Sequence, residues 1–438
     1  MIFNLIILLL LTLFILVFFA YIITYKEQII QKFRIKKNDS QKEKNYSLDN
    51  NKKGIFNIIK NYFNNDYIVY SKPKSKNDKS FTVLSYNILA QKYLHKVVKE
   101  NKFLEKKIRL DNITTEIASI NPQLFCLQEA TDDIIASHIV KKFEKEYNLI
   151  YHNNEGSPLK NVIGIKKDRF EVINEGKIII CDESTKNNNK NEKDEGNESD
   201  NSDDENKFNN IIQVDGNRGI INVTLRDKLV KDKTINLFCV HFPWRPIYEY
   251  QKARIMGLIF DLILRKRINN VIIAGDFNSI PNSIVLRMVY YNDWDAEMKK
   301  DEKYIGNFNF NKKELNLIQE TLAKMEKREN FKRTINGLMK ISKEVNEKYK
   351  LRSAYDNYRK EIKESEHFSF LRNHPKYTNY TNRFVDTIDY IFYSKNLNKL
   401  KILKIPEIEK ESKDKNIYLP NERHPSDHLK LAITFEYK

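Results

Sequence analysis

Cysteine is scarce in this sequence, with 3 in 438 residues, and no two of them have the CxxC spacing. Neither a disulfide framework nor a structural zinc site is therefore indicated, and a reducing compartment is the better expectation. Cys126 and Cys239 lie inside the apolar runs LFCLQE and NLFCVHF, where a free cysteine acts as a small buried hydrophobe. The sequence also lacks an internal repeat of fixed period, so a repeat architecture is not indicated.

Acidic residues are fewer than basic residues: the chain has 76 Lys and Arg and 59 Asp and Glu, which gives a formal net charge of +17. Basic surfaces concentrate polyanions such as nucleic acid or acidic lipid. Because Lys and Asn are enriched everywhere, including the linker-like segments, a solvated lysine surface without any ligand explains the charge equally well. The apolar share of 41% is ample for a packed core, so the chain is globular.

One long apolar run stands near the start. Residues 5–24 contain no charged residue, and at about 1.5 Å per residue they span roughly 30 Å, the thickness of a bilayer core. A cleaved signal peptide would need a basic start and a small-residue cleavage site, so residues 1–25 predict a transmembrane anchor. Lys and Arg follow the span and none precedes it, which predicts a single-pass protein whose bulk faces the cytosol.

Composition divides the rest of the chain. Residues 26–80 are polar and rich in Lys and Asn, as expected of a linker. From Phe81 to the last residue, 438, short β-branched runs alternate with helical patterns, which predicts one α/β domain. Two segments interrupt it: residues 182–210 are acidic and predict a disordered insertion, and residues 299–350 predict a Lys/Glu-rich helical insertion that decorates the domain.

Four apolar runs, each the size of a buried strand, end in or contain polar residues: Asn87, Glu129, Asp276 with Asn278, and Asp389. Burying an unpaired carboxylate costs several kcal/mol, so such charges are usually paired or bind a cation. Taken singly, each has an ordinary explanation, since Asp276 could start a turn and Glu129 could cap the following helix. As an ordered set they predict a metal site.

Six short motifs occur in the order LSYNILA, LQEA, VHFPW, IIAGDFNSIPNS, IDYIF and HPSDH. This order resembles the endonuclease/exonuclease/phosphatase superfamily over about residues 81–438, the two insertions excluded. LRSAYDNY and PKYTNYTNRF add a similarity to its branch of carbon-catabolite-repressor deadenylases, Angel proteins, nocturnin and 2′-phosphodiesterases. The resemblance implies a deoxyribonuclease I-like fold, a four-layer α/β/β/α sandwich of two packed mixed sheets flanked by helices, here preceded by one transmembrane helix.

The resemblance also implies a cofactor. Glu129 is the implied main Mg²⁺ ligand, and Asn87 and Asp427 complete the site, with Mn²⁺ as a substitute. Carboxylate and amide oxygens are the ligands that Mg²⁺ prefers over nitrogen or sulfur.

The catalytic roles come from the same resemblance. Asp276 would accept a proton from the attacking water or orient it, helped by the Asn278 amide. His428 would bind a nonbridging phosphate oxygen as imidazolium, with Asp389 hydrogen-bonded to its other nitrogen. His241 is expected to make a further phosphate contact.

Substrate contacts are less sharply specified. Trp244 and Arg245 follow His241 and would stack on a base or contact a phosphate, although a buried tryptophan is an equally ordinary outcome. Asn217 is assigned to substrate binding with them. His424 is expected to shape the turn that carries HPSDH, because the nearby His428 already serves the phosphate.

The first expected function is a Mg²⁺-dependent phosphodiesterase on single-stranded RNA, acting from the 3′ end and on poly(A), and anchored through residues 5–24. The sequence gives no evidence for an obligate protein partner. A second keeps the chemistry on 2′,5′-oligoadenylate, cyclic-ended RNA, a nucleotide or a lipid head group, the lipid ranking last for want of an apolar loop beside the site. A third is an inactive membrane-tethered scaffold, which the presence of Glu129, Asp276 and His428 disfavours. No leucine-rich repeat is present, so docking into a repressor complex by the usual surface is not supported.

Overall fold

A computed structural model describes most of the region predicted to fold. The described residues are 66–72, 79–97, 105–151, 158–181, 212–213, 218–245, 248–281, 283–290, 329–361, 374–411 and 417–438. The predicted anchor, the acidic segment 182–210 and Asn217 lie outside them. Within these ranges no helix combines the length and the apolar character needed to cross a bilayer.

Seven strands form the first mixed sheet. From one edge to the other they are β1 (Tyr67–Val69), β15 (Leu397–Leu403), β16 (Leu431–Tyr437), β2 (Phe81–Asn87), β3 (Leu124–Ala130), β5 (Lys160–Lys166) and β4 (Tyr147–Ile150). The central pair β2 and β3 is parallel, with Asn87 opposite Gln128. The carboxyl ends of these two strands therefore lie side by side at one edge.

Seven more strands form the second sheet, and a two-stranded ribbon lies outside both. The sheet order is β11 (Arg352–Ser353), β14 (Asp389–Tyr393), β10 (Asn270–Asp276), β9 (Thr234–His241), β8 (Arg218–Asp227), β6 (Phe170–Cys181) and β7 (Ile212–Gln213), and the ribbon is β12 (Asn379–Tyr380) with β13 (Val385–Asp386). Strand β10 pairs in parallel with β9 and antiparallel with β14. Asp276 is thereby opposite both His241 and Asp389.

Eight helices lie in the described ranges, and five of them, α2 to α6, cover the outer faces of the sheets. In chain order they are α1 (Leu94–Val97, after a 3₁₀ turn Gln91–Tyr93), α2 (Lys106–Ile120), α3 (Asp132–Ile134, a π-helical turn Ile135–Val140, then Lys141–Phe143), α4 (Glu249–Lys266), α5 (Ile284–Tyr290), α6 (Glu329–Tyr349), α7 (Tyr358–Glu361) and α8 (Ile408–Glu411). Helices α2 and α3 pack on the first sheet, and α4, α5 and α6 on the second. A third apolar cluster fills the space between the sheets. The predicted two-sheet α/β sandwich is confirmed.

The sequence patterns explain these layers. Ile255, Ile259 and Ile263 recur every four residues in α4 and are all fully buried against the second sheet. Strand β10 reads as a continuous apolar run, and all seven of its residues are buried. A strand covered on both faces needs no polar alternation, so its only carboxylate, Asp276, demands a separate explanation.

Two features of the domain organisation differ from the sequence-based expectation. Tyr67–Val69 was predicted to lie in the linker, but it pairs with β15 as an edge strand, so the folded domain begins before Phe81. The error arises because three residues with Val69 exposed give no alternating pattern. Helix α6, from the predicted decorating insertion, buries Val345 and Tyr349 in the core beside α4 and is thus an integral layer.

Candidate active site

Polar strand ends from both sheets meet at one edge of the sandwich. The Asn87 side-chain Nδ2 donates to Glu129 Oε1 at 3.2 Å and to Asp276 Oδ2 at 3.0 Å. Asn87 and Glu129 belong to the first sheet and Asp276 to the second. One amide therefore bridges the two sheets at the place where the sequence predicted a metal site.

Glu129 sits on an irregular backbone. Its φ is 63°, in the left-handed region, and the pairing of β3 with β5 shifts register between Leu127 and Ala130. A non-glycine residue held in this region costs about 1 kcal/mol or more and persists where the surroundings impose it, often at functional sites. The bulge turns the side chain toward Asn87, and Glu129 Oε2 accepts a hydrogen bond from the Ala90 amide at 3.0 Å.

Asp276 is buried and surrounded by donors. Asn278, with φ 47°, donates its backbone N–H to Asp276 Oδ1 at 2.7 Å and its side-chain Nδ2 to Oδ2 at 3.1 Å. Lys252 in turn donates to the Asn278 carbonyl and to Glu249 Oε1, which fixes the turn. Burial raises the pKa of Asp276 to about 7, with the His428 charge opposing the rise. A carboxylate with a pKa near neutrality is suited to accept a proton.

His428 and Asp389 form a buried pair. His428 Nδ1 lies 2.8 Å from Asp389 Oδ2, and the Thr378 hydroxyl donates to the same carboxylate oxygen at 2.6 Å. Burial alone would lower the pKa of His428, but Asp389, Asp427 and Asp276 together raise it well above its ordinary value. The imidazolium form is therefore favoured, and its Nε2 lies 3.8 Å from Asp276 Oδ2.

Asp427 and His241 complete the cluster. Asp427 Oδ1 lies 4.0 Å from His428 Nε2, and burial raises the pKa of Asp427. His241 Nε2 lies 3.6 Å from Asp276 Oδ2 and 3.8 Å from Glu129 Oε1. The eight residues predicted to carry metal binding and catalysis are thus brought together: Asn87, Glu129, His241, Asp276, Asn278, Asp389, Asp427 and His428.

The site fits a hard divalent cation. Oxygens of Glu129 and Asp276 converge on one positively polarised group, the Asn87 NH₂, and oxygen donors are what Mg²⁺ prefers. Ligand atoms of Asp276, Asp389 and His428 also lie within 4.8 Å of one another. His428 Nδ1 is already paired with Asp389, however, so we assign those two to an oriented imidazolium and the cation to the oxygen-rich side.

Trp244, Arg245 and His424, which the sequence analysis also singled out, differ in their surroundings. Trp244 is 49% exposed, so the buried alternative is wrong, and the Arg245 guanidinium carbon lies 5.4 Å from its ring centroid. This exposed pair lies three and four residues after His241 and is accessible to a substrate. His424 Nε2 lies 3.0 Å from both carboxylate oxygens of Glu411, as a structural role in the turn requires.

Sequence reasoning missed two residues that organise the site. Thr378 Oγ1 accepts the Ile388 and Asp389 amides at 3.0 Å each while donating to the Asp389 carboxylate. It lies in the motif PKYTNYTNRF, but the motif served only for the family resemblance and gave Thr378 no role. Arg109, fully buried, contacts the loops after β2 and before β16. One signal was available, because Arg109 precedes the buried Ile113 and Ile117 by four and eight residues and so lies on the apolar face of α2.

Beside the site, Asp386 offers a test of buried charge. Burial raises the pKa of Asp386 to about 7. At a pH between an ordinary aspartate pKa and 7, Asp386 is protonated in the folded chain and ionised in the unfolded chain. The free energy of unfolding therefore falls as pH rises toward 7. We expect Asp386→Asn to remove this slope and to gain about 1–2 kcal/mol relative to wild type between pH 5 and pH 8 in urea unfolding. Parallel pH dependences of the two proteins would contradict it.

Comparison with known proteins places this geometry in context. The sequence profile of the Endonuclease/Exonuclease/phosphatase family matches residues 84–428. The CCR4-Not complex 3′-5′-exoribonuclease subunit Ccr4 of Saccharomyces cerevisiae is 24% identical over 394 residues, covering 82% of this chain and 39% of the yeast protein. The Carbon catabolite repressor protein 4 homolog 4 of Arabidopsis thaliana is 41% identical over 73 residues, 16% of this chain and 17% of that protein.

Among solved structures, the 2′,3′-cyclic phosphatase ANGEL2 in complex with adenosine-2′,3′-vanadate has a TM-score of 0.54 at 19% identity. The match covers 84% of this chain and 97% of that chain. At this identity the likeness concerns the fold, and it agrees with the two-sheet sandwich described above.

Proposed function

This chain belongs to the endonuclease/exonuclease/phosphatase family, and from that premise we propose that it is a Mg²⁺-dependent phosphodiesterase that shortens single-stranded RNA, poly(A) included, from the 3′ end. The observation that carries the proposal is the convergence of Glu129, Asp276 and the His428–Asp389 pair at one edge of the two sheets. A proton acceptor beside an imidazolium and an oxygen-rich cation site is what hydrolysis of a phosphodiester requires.

The choice of RNA and of 3′-5′ direction draws support from the yeast relative, which is a 3′-5′-exoribonuclease subunit. The chain matches 39% of the length of that protein, so these finer features remain part of the proposal. The exposed Trp244 with Arg245 adds a surface on which a base can stack, as aromatics do in single-strand binding.

The residues suggest a division of labour in the reaction. Asp276 accepts the proton of the attacking water as the new P–O bond forms, and Asn278 keeps its carboxylate oriented. The bond from phosphorus to the 3′-oxygen of the shortened RNA breaks, and that oxygen takes a proton from solvent. His428, charged and held by Asp389, donates from Nε2 to a nonbridging phosphate oxygen. Glu129, Asn87 and Asp427 would hold the Mg²⁺, which when bound neutralises charge on the phosphate.

The test uses the full chain with 5′-labelled oligo(A) and Mg²⁺. The proposal predicts products that shorten one nucleotide at a time from the 3′ end, with 5′-AMP released, and no products once the metal is chelated. Parallel reactions with 2′,5′-oligoadenylate and with RNA ending in a 2′,3′-cyclic phosphate separate the alternative substrates. Turnover of one of those without oligo(A) shortening would replace the RNA proposal, and turnover of none would favour the inactive scaffold.

Membrane anchoring through residues 5–24, with the catalytic domain in the cytosol, is part of the proposal and rests on the apolar run and the positive charges that follow it. Protease added to sealed microsomes should digest the region from residue 66 onward. Protection of that region would place it in the lumen instead.

A further inference from the structure

Arg109 is a charged side chain that the mechanism does not use and that is completely buried. Its guanidinium donates four hydrogen bonds: Nη1 to Ile88 O at 2.8 Å and to Pro425 O at 3.0 Å, Nη2 to Leu89 O at 2.7 Å, and Nε to Gln91 Oε1 at 3.0 Å. All four acceptors are uncharged oxygens. Burying a cation costs several kcal/mol, so a guanidinium devoted to carbonyls calls for an explanation beyond charge pairing.

The two carbonyls after β2 share peptide groups with the amides that hold the predicted ligands. The carbonyl of Ile88 and the N–H of Leu89 form one planar unit, and that N–H donates to Asn87 Oδ1 at 3.1 Å. The carbonyl of Leu89 and the N–H of Ala90 form the next unit, and that N–H donates to Glu129 Oε2 at 3.0 Å. A trans peptide points its C=O and N–H in opposite directions. In each unit the guanidinium therefore binds the C=O, and a predicted ligand accepts the hydrogen bond from the N–H.

Leu89 itself needs this restraint. Its φ is 51°, a left-handed conformation that a leucine rarely adopts. Turning the Leu89 backbone to an ordinary conformation would rotate the two peptide units on either side of it. The Arg109 bonds to both carbonyls oppose that rotation.

The third backbone carbonyl, Pro425 O, connects Arg109 to the other side of the site. Pro425 O precedes Ser426, whose hydroxyl donates to Asn87 O at 2.6 Å and lies 3.5 Å from Asp427 Oδ1. One guanidinium thus connects the loop that follows Asn87 to the loop that carries Asp427. Arg109 is connected to Asn87 and to Glu129 through one peptide group each. It is connected to Asp427 through Ser426, the residue after Pro425.

We propose that Arg109 is a positioning residue that presets the Mg²⁺ ligands through the peptide groups on either side of Leu89 and through the HPSDH loop. The inference deepens the proposed function and rests on its metal site. The planar guanidinium reaches its acceptors from three separate nitrogens, Nε, Nη1 and Nη2. A lysine ammonium at this place keeps the charge but offers its three donors from a single nitrogen and cannot reproduce this geometry.

The experiment compares Arg109→Lys with a matched control, Arg169→Lys, in the full chain. Arg169 is also buried and also donates to backbone carbonyls, Lys79 O and Ser80 O, but its other partner is Asp227 at the far end of β8. Isothermal titration with MgCl₂ should show Mg²⁺ binding weakened about 10- to 100-fold in Arg109→Lys and within about twofold of wild type in Arg169→Lys. Oligo(A) hydrolysis at low Mg²⁺ should fall in the first variant and recover at high Mg²⁺, with KM for RNA little changed.

Equal Mg²⁺ affinity of folded Arg109→Lys and wild type would overturn the proposal, because Arg109 would then serve stability alone. If Arg109→Lys does not fold, Gln91→Ala removes only the Nε acceptor and should weaken Mg²⁺ binding by a smaller factor in the same direction, and an unchanged affinity would again overturn it. If the wild-type chain binds no Mg²⁺, the result refutes both the metal site and this inference. A chain that binds Mg²⁺ as described and hydrolyses no RNA defeats only the proposed function.

Discussion

Replacing Glu129 by glutamine is expected to slow oligo(A) hydrolysis about 100- to 1,000-fold at 1 mM Mg²⁺. The substitution keeps the size of the side chain and its acceptor for the Ala90 amide, but it removes the charge that a divalent cation requires. An amide NH₂ would also be placed where a ligand oxygen now points. The measurement is the initial rate across a Mg²⁺ titration, with the fraction folded determined by thermal unfolding.

Glu116→Gln is the matched control. Glu116 and Glu129 have the same side-chain exposure, 15%, and Glu116 also accepts two hydrogen bonds, from Tyr86 Oη at 3.0 Å and Lys430 Nζ at 2.8 Å. Its rate is expected to stay within about twofold of wild type. Equal losses in the two variants would mean that removal of any half-buried carboxylate disturbs the fold, and a fully active Glu129→Gln would remove Glu129 from the metal site.

The candidate site was predictable to a large extent because its residues interrupt strong patterns. Asp276 ends a strand that is otherwise apolar on both faces, and Asp389 begins its antiparallel neighbour. A carboxylate in such a run is costly, so it is visible in one sequence without any alignment. Motif order then linked these strand ends, and the structure brings their side chains together. Their chemical roles are what the variants test.

Other features depended on contacts that the local sequence does not encode. Arg109 and Thr378 act on residues brought close only by folding, through carbonyls and a carboxylate. The left-handed backbone of Glu129 is imposed by its bulge against β5, since a glutamate has no preference of its own for that conformation.

Strand β15 is hard to recognise from the sequence for a related reason. Its pairing with β16 shifts register between Lys399 and Lys401, so buried residues occur at Leu397, Leu400, Ile402 and Leu403 rather than at every second position. A β-bulge breaks the period of two on which strand prediction relies. The three-residue strand β1 pairs with β15, and it lies before Phe81, where the sequence placed the start of the domain.

Replacing Asp276 by asparagine is expected to slow hydrolysis about 100- to 10,000-fold, the range typical for loss of a general base. The amide cannot accept a proton from water, and its NH₂ would face one of the donors from Asn87 or Asn278 whichever way it turned. KM for RNA should change little, because Asp276 is assigned to the attacking water rather than to the binding of the chain. Single-turnover rates at saturating Mg²⁺ measure the chemical step directly.

Asp227→Asn should give the opposite signature. Asp227 is as buried as Asp276, but Arg169 Nη2 donates to it at 2.8 Å and Tyr437 Oη at 2.9 Å, so its charge is paired structurally. Weakening that pair should cost about 3 kcal/mol of unfolding free energy while the rate per folded molecule stays within about twofold of wild type. The two variants thus distinguish a buried aspartate that serves catalysis from an aspartate of similar burial that serves stability. If Asp276→Asn lost stability like Asp227→Asn and kept its rate, Asp276 would belong to the second kind.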